Sequence, residues 1–335
     1  MKRSLIAAVS HHFPKQTLSS AALEELISKE SLYHPPGGLI ESITGIKERY
    51  VSGAEEYNST MAIAACQKLF EDNKSIKKSD IDLLIFASAG QDMLEPATAH
   101  IVQKEVGTDC PVLDVTNACN SFLNALQIAD AFVRNSTYRN VLIATGEVST
   151  KSAKLAVRDK RDFRQSFPAY TFSDIGTAAV VSESKSPDEG IIDFSFTAKS
   201  EYWDAAIMAG GGSRFLKSNE PYFRGSGRKL KDAFDTIGPV FIKNFLNKHF
   251  LTSCDIEHAF VHQVSLPYLH EFMKACDFND RQVEQTISWC GNVAAASLPL
   301  AWSLRHERKE LKKGDKVLLI GLAGGISLGA ALAQI

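Results

Sequence analysis

The run PVLDVTNACNSFLNALQIADAFVRN, residues 111–135, passes from a short β-rich segment into a long helical pattern, and Cys119 stands at the junction. Residues 112–115 read as a strand. From Asn120 onward the polar residues recur at Asn120, Asn124, Gln127, Asp130 and Arg134, which is one face of a helix whose other faces are apolar. A strand, a turn and a helix are therefore expected, with Cys119 at the helix N-terminus. Unpaired N–H groups and the positive end of the helix dipole favour thiolate there, and thiolate is the reactive form of cysteine. The same N–H groups can hold an oxyanion. A buried cysteine that only fills space is the competing reading, since free Cys is among the most buried residue types. This stretch alone leaves both open.

Working outward, LLIFA at 83–87 and VLIAT at 141–145 are further strand signals, with helical patterns before and between them. Such alternation predicts an α/β fold. A weak internal repeat is also present. A strand around Ile85, the Cys119 helix and a strand from Val141 recur as a strand around Phe260, the segment after Asn292 and a strand from Val317. Two similar halves are expected, 1–185 and 186–335, with the joint in the polar stretch SESKSPDEG at 182–190, where Pro187 and Gly190 are turn residues.

The chain has 335 residues, 44% of them hydrophobic, and a formal net charge of −2, enough to bury a substantial core in a soluble globular protein. No apolar run approaches the roughly 20 residues that span a bilayer, and the stretch at 5–9 is too short for a signal peptide, so membrane insertion is not expected and a cytoplasmic location is. The six cysteines form no CxxC pair and are expected as free thiols, with no metal site. Near-neutral charge without long basic blocks argues against nucleic acid as a partner. Local basic clusters at 151–164 and 224–231 are either solvated faces or patches for phosphates or an acidic carrier protein.

The second half offers partners for a thiol. AFVHQVSLPYLHEF places His262 at the end of a short strand, where α/β sheets expose functional groups. SWCGNVAAASLPLAW places Asn292 directly after Gly291, a pair that also marks an ordinary turn. In KVLLIGLAGGISLGAALAQI a strand is expected to run into a loop with Gly321, Gly324 and Gly325, whose N–H groups can approach a ligand closely. Cysteine, histidine and asparagine build at least two machines. One is the papain-like protease arrangement, which requires a CGSCW-like context near the mature N-terminus that this chain lacks. The other condenses thioesters.

The motifs ITGIKERY (43–50), DVTNACNSF (114–122), FSDIGTAAVV (172–181), VHQVS (261–265), GNVAAASLPLAW (291–302) and GLAGGISLGAAL (321–332), in this order, resemble the thiolase superfamily. Within it the chain is similar to the ketosynthase III group that includes 3-oxoacyl-[acyl-carrier-protein] synthase III. The resemblance spans nearly the whole length. It implies a five-layered αβαβα fold of two pseudo-symmetric halves and a homodimer. It further implies Claisen condensation of acyl thioesters to a 3-oxoacyl product, in fatty-acid or fatty-acid-derived biosynthesis. Cys119 would be the acylated nucleophile, His262 and Asn292 the pair that binds the second substrate, and the N–H groups of Cys119 and Gly324 the oxyanion hole. Acyl-CoA or acyl carrier protein would be the partner, with CoA or phosphopantetheine thioesters as substrates and no permanently bound cofactor. Arg224, Arg228, Lys229 and Lys231 are the candidate contacts for their phosphates.

Some positions depart from the initiating synthases of the group. Leu39 and Ile43 stand where a tryptophan and an arginine clamp the adenine of CoA, and Pro267 stands where an arginine meets acyl carrier protein. QDMLEPATA (91–99), NAC (117–119) and HQVSLP (262–267) instead resemble the branch that joins two acyl chains head to head in olefin and pyrone formation. There a glutamate at the place of Glu95 reaches the partner subunit's site as base. An α-carbon bearing a carboxylate becomes a nucleophile by losing CO2, whereas an unactivated one needs such a base. Glu95 beside Pro96 also suits a plain helix start. O- or N-acyl transfer from the acyl-cysteine, and a noncatalytic subunit, are the alternatives from other classes.

Overall fold

The structure is a computed structural model and describes residues 2–210, 212–215 and 221–335. The first sheet is built from β1 (Ser4–His12), β2 (Leu83–Ala87), β3 (Val112–Val115), β4 (Asn140–Val148) and β5 (Asp174–Glu183), in the order β1-β5-β4-β2-β3. β2 pairs in parallel with β3 and β4, whereas β4–β5 and β5–β1 are antiparallel. Every residue of β2 is buried, which is why its sequence is continuously apolar rather than alternating. Helices α1 (Asn58–Asp72) and α2 (Thr98–Val106) cover the outer face of this sheet. Gly146 and Gly176 let the α1 backbone lie directly on it, since a Cβ on either would run into the carbonyl oxygens of Asn58 or Met61. Helix α3 (Ser121–Arg134) packs on the inner face.

The second sheet contains β6 (Gly190–Ala198), β7 (His258–Val261), β8 (Lys316–Ala323) and β9 (Ser327–Gln334), in the order β7-β8-β9-β6. Helices α4 (Gly227–Lys248) and α5 (Leu266–Ala275) cover its outer face, and α6 (Ser297–Glu307) returns to lie beside α3 between the sheets. The result is five layers, helix, sheet, helix, sheet, helix. Phe122 and Leu126 of α3, Trp302 of α6, Ile143 of β4 and Phe260 and Leu319 of the second sheet share one core, so the middle layer joins the two sheets by burial alone. α3 is consequently buried on most sides, and part of its polar stripe is satisfied internally, while Gln127 is exposed. Asp130 accepts from Ser4 Oγ at 2.7 Å and from Arg134 Nε at 2.8 Å.

The internal repeat is visible in the topology. β1-β5-β4-β2 and β6-β9-β8-β7 follow the same order with the same pairing senses, and β3 is an additional edge strand. β5 ends at Glu183 and β6 begins at Gly190, so the polar stretch read as the joint connects the two sheets. The turns that precede α3 and α6 also match. Ala118 and Ala294 both have φ of 46°, a left-handed conformation rare for residues with a side chain. Ser121 Oγ lies 2.7 Å from the Ala118 carbonyl, and Ser297 Oγ lies 2.9 Å from the Ala294 carbonyl. This register pairs Cys119 with Ala295, not with Asn292 as counting from the strands suggested. Counting absorbs differences in loop length, whereas a shared backbone conformation does not. A second difference concerns Gly321, which lies within β8 and not in the following loop. A Cβ there would strike the Asn120 side chain at the start of α3.

Replacing Gly146 with alanine pushes a methyl group into helix backbone that has no rotamer to yield. We expect Gly146→Ala to lower unfolding free energy by about 3 kcal/mol, read from its denaturant midpoint at unchanged slope.

Candidate active site

Cys119 is placed by the turn between β3 and α3. Asn117 N–H donates to Ser121 Oγ at 2.8 Å, closing the loop around the left-handed Ala118 and leaving Asn120 as the helix cap residue. Asn120 Nδ2 donates to Ser327 Oγ at 2.9 Å and to the Ser327 carbonyl at 3.1 Å, which ties this turn to the second sheet. The N–H groups of Cys119 and Gly324, one from each half, lie close enough to the Cys119 sulfur to act on its thiol. The helix N-terminus does not lower this thiol. Burial pushes it up to about 12, the charge of Glu147 adds to the effect, and the two N–H groups only partly oppose them. As a residue, Cys119 nevertheless keeps partial access to solvent.

His262 follows the last residue of β7, and its backbone N–H continues the ladder to the Ile320 carbonyl at 2.9 Å. Its Nδ1 lies 2.8 Å from Ser297 Oγ, while Nε2 is buried without a partner among the described residues. Burial moves the ring down to about 4, against an opposing hydrogen bond with the Ala294 backbone, so the imidazole is neutral at physiological pH. Asn292 is held by its backbone, which exchanges bonds with Thr171 and Ser173 at 2.8 and 2.9 Å. Its Oδ1 accepts from Ala294 N–H at 3.0 Å, and Nδ2 donates to Thr171 Oγ1 at 3.3 Å. One of the two Nδ2 hydrogens remains for a ligand. His262 and Asn292 are thus organised by one turn, 294–297.

Glu147, absent from the sequence reading, joins these pieces. It is completely buried in β4 and accepts from Ala89 N–H at 2.8 Å and from Ser149 Oγ at 3.4 Å. Burial raises its carboxyl to about 7 despite these donors. The Ala295 N–H lies close enough to act on its carboxyl and oppose this effect. Ser297 is the other residue that sequence reasoning missed.

The family described as 3-oxoacyl-[acyl-carrier-protein] synthase III matches residues 113–200, and its C-terminal counterpart matches residues 246–335. The beta-ketoacyl-[acyl-carrier-protein] synthase III of Aliarcobacter butzleri is 30% identical over 334 residues, covering 97% of this chain and 96% of its own. The chain belongs to the 3-oxoacyl-[acyl-carrier-protein] synthase III family. The corresponding synthase of Helicobacter pylori strain J99 is 28% identical over 339 residues, covering 98% and 96% of the two chains. Among solved structures, Xanthomonas campestris OleA with bound lauric acid and lauroyl-CoA superimposes with a TM-score of 0.89 at 23% identity, over 99% of both chains. A crystal structure of a 3-oxoacyl-[acyl-carrier-protein] synthase III gives 0.88 at 22% identity, over 99% and 100%. The five-layered fold is therefore thiolase-like, and this synthase III relative is an acyltransferase of the ketosynthase III type that condenses acyl thioesters by Claisen chemistry.

Other predicted site residues of this synthase relative lie apart from the Cys119 network. Glu95 is exposed in the loop before α2, next to Leu94, which is 72% exposed. A groove of about 590 Å3, lined by Tyr57, Ile63, Asp92, Met93 and Ile101, lies beside that loop, away from Cys119. Arg224 sits half-buried in the strand Phe223–Gly225, whose Phe223 ring packs edge-on against Phe172. Arg228 and Lys229 pair with Asp232 and Asp204, both at 3.7 Å, and Lys231 pairs with Asp235 and Glu271 at 2.6 and 2.7 Å. Leu39 and Ile43 belong to the short helix Leu39–Thr44, which packs against α5, where Pro267 is exposed. Among the described residues no group of three or more His, Cys, Asp or Glu side chains could hold a metal, and no helix is long and apolar enough to cross a membrane.

The raised carboxyl of Glu147 has a sign that can be checked. Its folded value, about 7, lies above the ordinary 4.5, so its contribution is fully present below 4.5 and is lost as pH rises through 7. Glu147→Gln does not titrate. Its stability relative to the parent chain should therefore rise by up to about 3 kcal/mol between pH 5 and pH 8, measured by denaturant unfolding at each pH.

Proposed function

We propose that Cys119 carries the acyl group in this condensing enzyme, with the oxyanion held by the N–H groups of Cys119 and Gly324. What supports this reading is that backbone N–H groups of Cys119 and Gly324, from opposite halves, both act on the sulfur of a residue that keeps partial access to solvent. Attack of sulfur on an acyl thioester forms the S–C bond and expels the CoA or carrier thiolate, which takes up the proton released by Cys119. Fixed N–H donors in a dry site stabilise the charge that develops on the carbonyl oxygen.

The second thioester then enters, and its carbonyl oxygen meets Asn292 Nδ2 and His262 Nε2. When the Ser297 O–H turns from the Ala294 carbonyl to His262 Nδ1, the ring proton resides on Nε2, the tautomer that donates to this oxygen. A second thioester that bears an α-carboxylate loses CO2, the charge being held on this oxygen, and its α-carbon attacks the acyl-cysteine carbonyl, forming the new C–C bond and breaking the C–S bond, with the freed sulfur taking up a proton. The product is a 3-oxoacyl thioester, in fatty-acid or fatty-acid-derived biosynthesis, made from CoA or phosphopantetheine thioesters with no resident cofactor. Arg224 is the candidate phosphate contact that lies nearest this region, through Phe223 and Phe172. The halves 1–185 and 186–335 each contribute one side of the site.

A second reading concerns how the carbanion arises. Glu95 is exposed in a single chain beside exposed Leu94 and Met93 and an apolar groove, a surface suited to a second copy of this chain. In a homodimer Glu95 would act in the partner's site and remove the α-proton without decarboxylation. The bulky apolar Leu39 and Ile43 and the rigid Pro267 also remove the usual cationic and aromatic contacts for CoA and carrier.

Intact-protein mass spectrometry with a long-chain acyl-CoA tests the acyl-cysteine. The parent chain should gain one acyl mass and Cys119→Ala none; equal acylation of the variant would remove Cys119 from this role. Product formed from acyl-CoA alone and lost in Glu95→Gln would establish the Glu95 route. Product formed only with a malonyl thioester, and retained in Glu95→Gln, would establish decarboxylation.

A further inference from the structure

Glu147 is a fully buried carboxylate beside Cys119, and the condensation mechanism assigns it no task. It lies in β4 of the first sheet, and its strand packs directly against the 294–296 turn of the second half. Ala89 N–H, which donates to it at 2.8 Å, belongs to the loop after β2, and Ser149 Oγ at 3.4 Å follows β4, while across that seam the backbone N–H of Ala295, in the turn packed on this strand, acts on its carboxyl. Ala295 is flanked by Ala294, whose N–H holds Asn292 Oδ1 at 3.0 Å, and is followed by Ser297, whose hydroxyl meets His262 Nδ1 at 2.8 Å. Nothing else on this turn is polar, since 294–296 are all alanine. One carboxylate therefore faces the segment that orients both second-substrate residues.

The repeat sharpens the point. Ala295 occupies in the second half the place that Cys119 occupies in the first, each following a left-handed alanine. The first half turns its N–H toward the reacting sulfur. The second half turns its N–H toward Glu147.

We propose that Glu147 is a positioning residue for condensation, its carboxylate fixing the 294–297 turn, and with it Asn292 and His262, at the distance from Cys119 that carbon–carbon bond formation requires. This rests on the acyl-cysteine reading above. Acylation of Cys119 draws its oxyanion donors from Cys119 and Gly324 and does not require that turn, so the two half-reactions should separate when Glu147 is altered. When ionised, the same carboxylate disfavours thiolate at the neighbouring sulfur.

The test compares the parent chain with Glu147→Gln, which keeps side-chain volume and removes the charge. Acylation is followed by mass spectrometry, transfer from pre-acylated enzyme by single-turnover product analysis, and Cys119 by its rate of alkylation against pH. Condensation should fall about tenfold or more, since displacement of a reacting pair by 1 Å costs as much as a hundredfold, while acylation changes less than about threefold. The pH midpoint for alkylation should move down. A purely structural role would slow both half-reactions together and leave the midpoint in place, and that result, or no loss of condensation, overturns the proposal. If Glu147→Gln does not fold, Ser149→Ala removes one donor to the same carboxylate and should shift the ratio of the two rates in the same direction; an unchanged ratio overturns the proposal equally. A parent chain that never acylates at Cys119 would instead refute the underlying site assignment, whatever the Glu147 variant does.

Discussion

Everything at the centre of this molecule depends on two left-handed alanines. Ala118 and Ala294 each turn the chain into a helix of the shared middle layer, Ala118 after the strand β3 and Ala294 after the short helix Ile287–Cys290. Such a conformation costs about 1 to 2 kcal/mol per residue with a Cβ. It is held in each case by a serine three residues on, Ser121 or Ser297, whose hydroxyl takes the alanine carbonyl. With the turns fixed, helices α3 and α6 lie side by side, and their first residues face each other across the seam. Cys119, Gly324, His262 and Asn292 gather there from four separate stretches of chain.

The resting site that results carries little charge. Burial holds the Cys119 thiol, the His262 ring and the Glu147 carboxyl toward their neutral forms, at about 12, 4 and 7. Desolvation is the first cause in all three. The helix-terminus argument from sequence had the opposite sign for Cys119, because dipole effects of roughly 0.3 to 1 kcal/mol were considered without the cost of removing the sulfur from water. An uncharged, dry site suits thioester chemistry. Partial charges on N–H groups act strongly where water does not compete, and they act on charge that appears only as the reaction proceeds.

The elements that were legible in the sequence are those whose signal is local. The strand at 83–87 and the Cys119 helix follow from composition and period, and the polar joint at 182–190 lies between Glu183 and Gly190, where the chain leaves one sheet for the other. Gly321 was assigned to a loop because glycine usually ends a strand, yet it is kept in β8 to make room for Asn120, a contact between the halves that no local pattern reveals. Glu147 escaped for a related reason. It continues the inward-facing series Ile143, Thr145, Glu147 of an apolar strand, and a lone glutamate there has meaning only once Ala89 and Ala295 are seen beside it. Glu95 had the clearest sequence context of the acidic candidates, but in the single chain it stands exposed, so its role rests on surroundings that one chain does not supply.

The duplicated turn shows how one backbone device supports two tasks. Residues 118–121 read ACNS and residues 294–297 read AAAS, so three of the four positions differ little in what they ask of the backbone. The substitution that matters is cysteine against alanine at the second position. A thiol there places a nucleophile where N–H groups converge. A methyl group there leaves the N–H without a reacting partner in its own half, free to be taken by an acceptor from the other. Glu147 fills that need, and a buried carboxylate requires several donors to exist at all. The asymmetry of the chemistry thus follows from symmetry of the fold. The half without the cysteine supplies the turn that contacts Asn292 and His262, and the carboxylate in the strand packed on that turn lies in the half that has the cysteine.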